Sequence, residues 1–171
     1  ELSKKEAQID LFYCALLLSK NDDPDLDIEA YRRLLDTMAE EMHERIPVHA
    51  DNAKRLQVLN DYLFKENGFH GSRGIHYYSQ NNSYVNRVLD DREGQPITLS
   101  VVYLELARRI GIKGLSGAGL RGHFMVHYRP KDKDKEDLLI DVYEGGNQLG
   151  EAETKIRLGF EEHKPSTKRQ I

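Results

Sequence analysis

Gly94-Gln95-Pro96-Ile97-Thr98-Leu99-Ser100, then Gly122-His123-Phe124, then Leu139-Ile140-Asp141 are the segments whose reading decides this fold. Pro96 suits the first position of a helix, where its missing N–H costs nothing. From there Ile97, Leu99, Val101, Val102, Leu104, Ala107 and Ile110 make Pro96 to Ile110 apolar nearly all round, and helices of that kind lie in a core. Three strands are predicted to follow, at about Leu115 to Leu120, His123 to Arg129 and Leu138 to Tyr143. Lys131 to Asp137, dense in mixed charge, reads as the solvated tip of the hairpin that joins the last two. Neighbouring antiparallel strands can set an imidazole and a carboxylate side by side, so His123 and Asp141 form a candidate pair.

Three helical patterns lie upstream. The first, about Lys4 to Ser19, is predicted to turn Ala7, Leu11, Cys14, Ala15 and Leu18 inward. The second, about Ile28 to Ile46, carries Ile28, Tyr31, Leu35, Met38 and Met42 on one face, with Asp27 as N-cap and Pro47 as stop. The third, about Asn52 to Lys65, uses Leu56, Leu59 and Leu63 inward and ends at Asn67-Gly68. Gly68 to Asn82 reads as a long polar and aromatic loop, and such length in a compact domain points to a segment that shapes a site. Ser83 to Leu89 reads as a short helix. The organisation expected is α+β in one domain over residues 1–171: a helical N-terminal part at 1–66, a core at 67–147 holding the buried helix and the small antiparallel sheet, and a C-terminal helix at 150–163.

A chain of 171 residues can bury roughly two-thirds of its unfolded surface without a disulfide or a metal. With 25 Lys+Arg against 29 Asp+Glu, the net charge of −4 gives no electrostatic case for nucleic acid or an anionic membrane. The lone Cys14 cannot form an internal disulfide, and the longest apolar run, Leu11 to Leu18, is too short to span a bilayer; a cytoplasmic protein is expected. On its apolar stripe Cys14 reads as a core thiol. Gly117-Ala118-Gly119-Leu120-Arg121-Gly122 imitates a dinucleotide fingerprint, but a strand follows it where a phosphate-binding helix is needed, so no cofactor is expected. Asp23, Asp25 and Asp27 imitate a calcium loop that lacks its glycine and terminal glutamate. His123 and His127 stand about 13 Å apart on a strand, too far to share an ion, and no metal is expected.

With these residues in view, the sequence resembles the transglutaminase-like superfamily and, within it, a SirB-type branch of bacterial proteins. The resemblance is carried by Asn82 to Leu89, Gly94 to Ser100, Ala107 to Gly111, Gly122-His123-Phe124, Ile140-Asp141 and Gly145-Gly146, and runs from about Leu26 to Gly146. It implies a papain/transglutaminase-like core in which a cysteine opens the buried helix, a histidine on a strand is its base, and an aspartate on the next strand orients that base. It assigns the base to His123 and the orienting acid to Asp141. The cysteine position, counted back from Gly111, falls on Pro96, which has no nucleophile. The proline usual before the Gly-His pair is Arg121 here.

Thr98 is then the weak candidate for a substitute hydroxyl, and Pro96, Ser100 and Asn86 are the residues expected to line a relic cleft. The plainer reading is that Thr98 caps the helix and Ser100 fills a packed position. The function expected is a degenerate, non-catalytic domain that binds a peptide or protein in that cleft. The alternative is a hydrolase or acyltransferase in which His123 and Asp141 activate water or a hydroxyl. A third possibility is a buried pair that only stiffens the sheet.

Overall fold

The computed structural model describes residues 9–76, 79–120, 122–132, 136–150, 152–153 and 156. The helices are α1 (Leu11–Ser19), α2 (Ile28–His43), α3 (Asn52–Asn60), α4 (Val85–Asp91) and α5 (Pro96–Arg109). Two short strands, β1 (His70–Gly71) and β2 (Glu93–Gly94), pair in parallel, and β3 (Leu115–Leu120), β4 (His123–Tyr128), β5 (Leu138–Asp141) and β6 (Asn147–Leu149) form an antiparallel sheet in that order. The fold class is α+β, as the sequence predicts.

The helix starts follow from local chemistry. Asp10, Asp27 and Asp51 each accept a backbone N–H from the first turn of α1, α2 and α3, at 2.9, 3.0 and 2.9 Å. Each satisfies a donor that a helix start otherwise leaves free. The third helical segment widens after Asn60 into a π-helical stretch, Asp61–Glu66. That stretch keeps Tyr62 and Leu63 buried and stacks Phe64 on Tyr103 of α5 at 6.2 Å between ring centres.

α5 lies at the centre. Leu99, Val102, Tyr103, Leu106, Ala107 and Ile110 are buried among Phe12 and Leu16 of α1, Leu35 and Met42 of α2, Val85 and Val88 of α4, and Val126 and Ile140 of the sheet. At its far end the buried Glu105 takes both Arg108 (2.8 and 2.7 Å) and Arg109 (2.8 Å), and Arg109 reaches on to Asp36 of α2. Burial pushes the Glu105 carboxyl up, but the two guanidiniums outweigh it and hold the group below its ordinary range.

Several expectations need correction. In α1, Phe12, Leu16 and Ser19 face the core, while Leu11 and Leu18 are 50% and 64% exposed and Cys14 is half-buried. A helix reading Leu-Phe-Tyr-Cys-Ala-Leu-Leu-Leu has too little polarity to declare its inner face, so tertiary contacts choose it. The long loop contains β1 and two 3-10 turns, Gly74–His76 and Gln80–Ser83, with Tyr77 and Tyr78 outside the described residues. Asp137, expected at a solvated tip, accepts from His127 at 3.0 Å and lies 3.5 Å from the Arg129 guanidinium. Residues 4–8 of the first expected helix lie outside the described residues. Of the expected C-terminal helix, 152–153 and 156 are helical and the remainder from 151 on lies outside them.

Candidate functional site

The start of α5 is closed by its own polar groups. Gln95 and Thr98 form a reciprocal cap, with the Gln95 N–H donating to Thr98 Oγ1 at 3.1 Å and the Thr98 N–H to the Gln95 side chain. The Thr98 hydroxyl donates to the Asn82 carbonyl at 2.7 Å, and the Ser100 hydroxyl to the Pro96 carbonyl at 2.7 Å. A hydroxyl has one proton, so both are committed to the backbone. Ser100 is fully buried, Asn86 is 1% exposed with its Oδ1 unpartnered, and Pro96 is half-buried.

The other half of the site lies where β4 begins and β5 ends. His123 Nε2 is 2.9 Å from Asp141 Oδ2. The second carboxylate oxygen, Oδ1, accepts the N–H groups of Tyr143 and Glu144, each at 3.1 Å. An ionised carboxylate only accepts, so a neutral imidazole here carries its proton on Nε2 and keeps a lone pair on Nδ1. Nδ1 has no hydrogen-bond partner among the described residues, and the His123 side chain is 24% exposed.

Strand alternation fixes which way the pair looks. Val126 is paired with Ile140, and both belong to the core against α5. Successive side chains change face, so His123, Met125 and His127 on β4 share the other face with Leu139 and Asp141 on β5. Met125, Leu139 and Leu149 form a second, smaller apolar cluster on that face. His123 therefore has no hydrogen bond to Thr98 or Ser100.

Tyr143 connects the two halves. Its ring meets the His123 ring edge-on, with centres 6.1 Å apart and planes at 85°. Its hydroxyl donates to the Ser72 carbonyl, and the Ser72 N–H donates to Gly94 at 3.0 Å, two residues before Pro96. The turn after Asp141 is tied to the core as well. The Gly146 N–H donates to the Asp141 carbonyl at 2.8 Å, while the Gly146 carbonyl accepts from Asn60, which in turn accepts from Tyr103 of α5 at 2.8 Å. Sequence reasoning missed Tyr143, Ser72 and Asn60. Only the position of Tyr143, two residues past the candidate acid, could have drawn attention to it.

A buried helix beside an antiparallel sheet, with a bonded histidine and aspartate on adjacent strands, is the frame of a transglutaminase-like core. Residues 29–167 match the transglutaminase-like superfamily, and the chain belongs to it. It is 34% identical over 148 residues to a UPF0162 protein of Xylella fastidiosa (strain 9a5c), covering 86% of this chain and 51% of that protein. A UPF0162 protein of Vibrio cholerae is 26% identical over 112 residues, 66% of this chain and 41% of the relative. F-box only protein 21 of Homo sapiens is 29% identical over 109 residues, 61% of this chain and 17% of the relative. The chain thus spans about half the length of the Xylella relatives it matches. No solved structure matches it. Among the described residues no helix is long and apolar enough to cross a membrane, and no three His, Cys, Asp or Glu side chains gather as for a metal ion.

Proposed function

We propose that this chain is a degenerate, non-catalytic transglutaminase-like domain of the SirB type that binds a peptide or protein at His123 and Asp141. The observation that carries the reading is the chemistry at the start of α5: the hydroxyls of Thr98 and Ser100 both donate to backbone carbonyls, and Pro96, at the position the resemblance gives to the nucleophile, has no attacking atom. The site keeps its proton-handling pair and lacks an attacking atom. The partner class is peptide or protein rather than nucleic acid or membrane, in keeping with a net charge of −4. A matched segment that makes up 17% of F-box only protein 21 supports a module that works joined to other segments. In this reading residues 1–171 act as one domain in the cytoplasm, with no cofactor, and binding rests on His123 and Asp141, because the side chains of Thr98, Ser100 and Asn86, expected to line the cleft, are buried.

The test is to pan a random-peptide display library against the wild type and against His123→Gln, and in parallel to treat the protein with an activated ester and a fluorophosphonate. The expected result is a set of peptides retained by the wild type and lost with His123→Gln, with the intact mass unchanged by either electrophile. A stoichiometric adduct on Thr98 or Ser100 would overturn the reading.

The Nδ1 of His123, without a hydrogen-bond partner among the described residues, favours a second reading, a hydrolase or acyltransferase that activates water or a substrate hydroxyl. Turnover of a peptide, amide or ester substrate that disappears in His123→Ala identifies it. Turnover that survives the substitution eliminates it.

A further inference from the structure

We infer that Tyr143 is the positioning residue of this site: its backbone N–H, ring and hydroxyl bind Asp141, His123 and the β1 segment into one unit, so the imidazole orientation depends on Tyr143 as well as on Asp141. The inference rests on the proposed reading in taking the His123–Asp141 pair as the working centre. It adds the residue that aims that pair.

Four contacts carry it. The Tyr143 N–H donates to Asp141 Oδ1 at 3.1 Å, which orients the carboxylate so that Oδ2 meets His123. The Tyr143 ring lies edge-on to the imidazole at 6.1 Å, a preferred aromatic geometry that limits rotation about the His123 side-chain bonds. The hydroxyl donates to the Ser72 carbonyl, whose own N–H continues the β1–β2 ladder to Gly94. Finally, β1 is shaped to receive this ring: a Cβ at Gly71 would lie 2.5 Å from Tyr143 Cδ2 and Cε2, closer than real Cβ contacts come. Glycine at position 71 is therefore a steric requirement of the tyrosine ring. An aspartate that accepted only from the histidine could swing with it. One held by the backbone of residues 143 and 144, with the aromatic ring fastened at its far end, cannot.

The experiment reads the histidine directly. In the full chain, labelled with nitrogen-15 and carbon-13, the ring resonances of His123 are assigned in the wild type, Tyr143→Phe, Tyr143→Leu and Gly71→Ala, with a thermal melt of each. The nitrogen shifts report which ring nitrogen carries the proton, and the ring-proton shifts report the facing aromatic. A Tyr143 role confined to stability would change the melt and leave both sets of shifts in place. The expected result is that Tyr143→Leu moves the His123 ring protons and mixes the two tautomers, while Tyr143→Phe restores the ring-proton shifts. Gly71→Ala, which displaces the ring without altering it, should reproduce the Tyr143→Leu pattern, and should change nothing further when added to Tyr143→Leu. If Tyr143→Leu does not fold, Gly71→Ala carries the same decision. Wild-type His123 resonances in Gly71→Ala or Tyr143→Leu overturn the inference. Failure of the wild type to retain any peptide strikes the proposed function instead and leaves these spectra as expected.

Discussion

β4 carries two histidine–aspartate pairs on one face, and they differ in everything but the bond itself. His127 meets Asp137 at 3.0 Å and His123 meets Asp141 at 2.9 Å, distances that do not distinguish them. The His127 side chain is 10% exposed, and its aspartate has the Arg129 guanidinium 3.5 Å away. That pair rivets the base of the β4–β5 hairpin. The His123 side chain is 24% exposed, and its aspartate accepts two backbone N–H groups and sits in a turn fastened to α5 through Asn60 and Tyr103. The lesson is that a bonded histidine and aspartate do not make a site by themselves. What marks the pair at 123 and 141 is a carboxylate held from behind by two backbone N–H groups, a more exposed imidazole and an aromatic guide.

Four substitutions test that contrast, and the largest effect belongs to the background against which both pairs are read. Glu105→Gln leaves the largely buried Arg109 guanidinium, and beside it the mostly exposed Arg108, facing a neutral side chain, and should lower stability by about 3 kcal/mol, measured by urea denaturation at neutral pH. Because the Glu105 carboxyl is held below its ordinary 4.5 when folded, its contribution is present above that value and is lost as pH falls through the lower folded one. The gap between wild type and Glu105→Gln should therefore narrow in acid. A constant gap would mean that the arginines do not discriminate charge.

Gly146→Ala is expected to follow, at about 2–3 kcal/mol. Its backbone has φ +76°, and a Cβ there would lie 2.6 Å from the Phe64 ring and 2.8 Å from Asn60 Oδ1. This change should disturb the Asp141 turn while leaving the His127 resonances in place. Asp137→Ala comes next: it leaves a nearly buried His127 without its acceptor, a loss of about 1–2 kcal/mol by denaturation, with peptide retention unchanged. Asp141→Asn should be smallest in stability, under about 1 kcal/mol, because the amide oxygen can still accept both N–H groups of the turn. Yet it should abolish peptide retention. If Asp141→Asn destabilises as much as Asp137→Ala and spares binding, the two pairs are alike and both are structural.

Much of this arrangement was legible in the residues. The uninterrupted apolar character of Ile97 to Ile110 and the helix-starting Pro96 pointed to a central buried helix, and alternation from His123 onward pointed to the strand that carries His123. The cap at Asp27 was legible because it is local, a side-chain oxygen reaching the N–H groups of its own first turn. The face of α1 was not legible, because a helix apolar all round offers no stripe to read. Nor were β1 and β2, two residues each, whose pairing joins His70 to Glu93 and Gly71 to Gly94. The second histidine pair was hidden in a run of charges that looked like a solvated tip.

The sequence alone determined the elements and the chemistry available to them: where α5 begins, that no cysteine opens it, and that a histidine and an aspartate fall on consecutive strands. Periodicity, caps and residue identity are properties of neighbours along the chain, so they survive without knowledge of the fold. Only the tertiary structure decided which histidine lies edge-on to an aromatic ring, that both helix hydroxyls are committed to carbonyls, and that Tyr143 spans from Asp141 to Ser72. Those outcomes depend on groups brought together from distant parts of the chain, such as Tyr143 with Gly71 or Asn60 with Gly146, and packing against α5 is what brings them there.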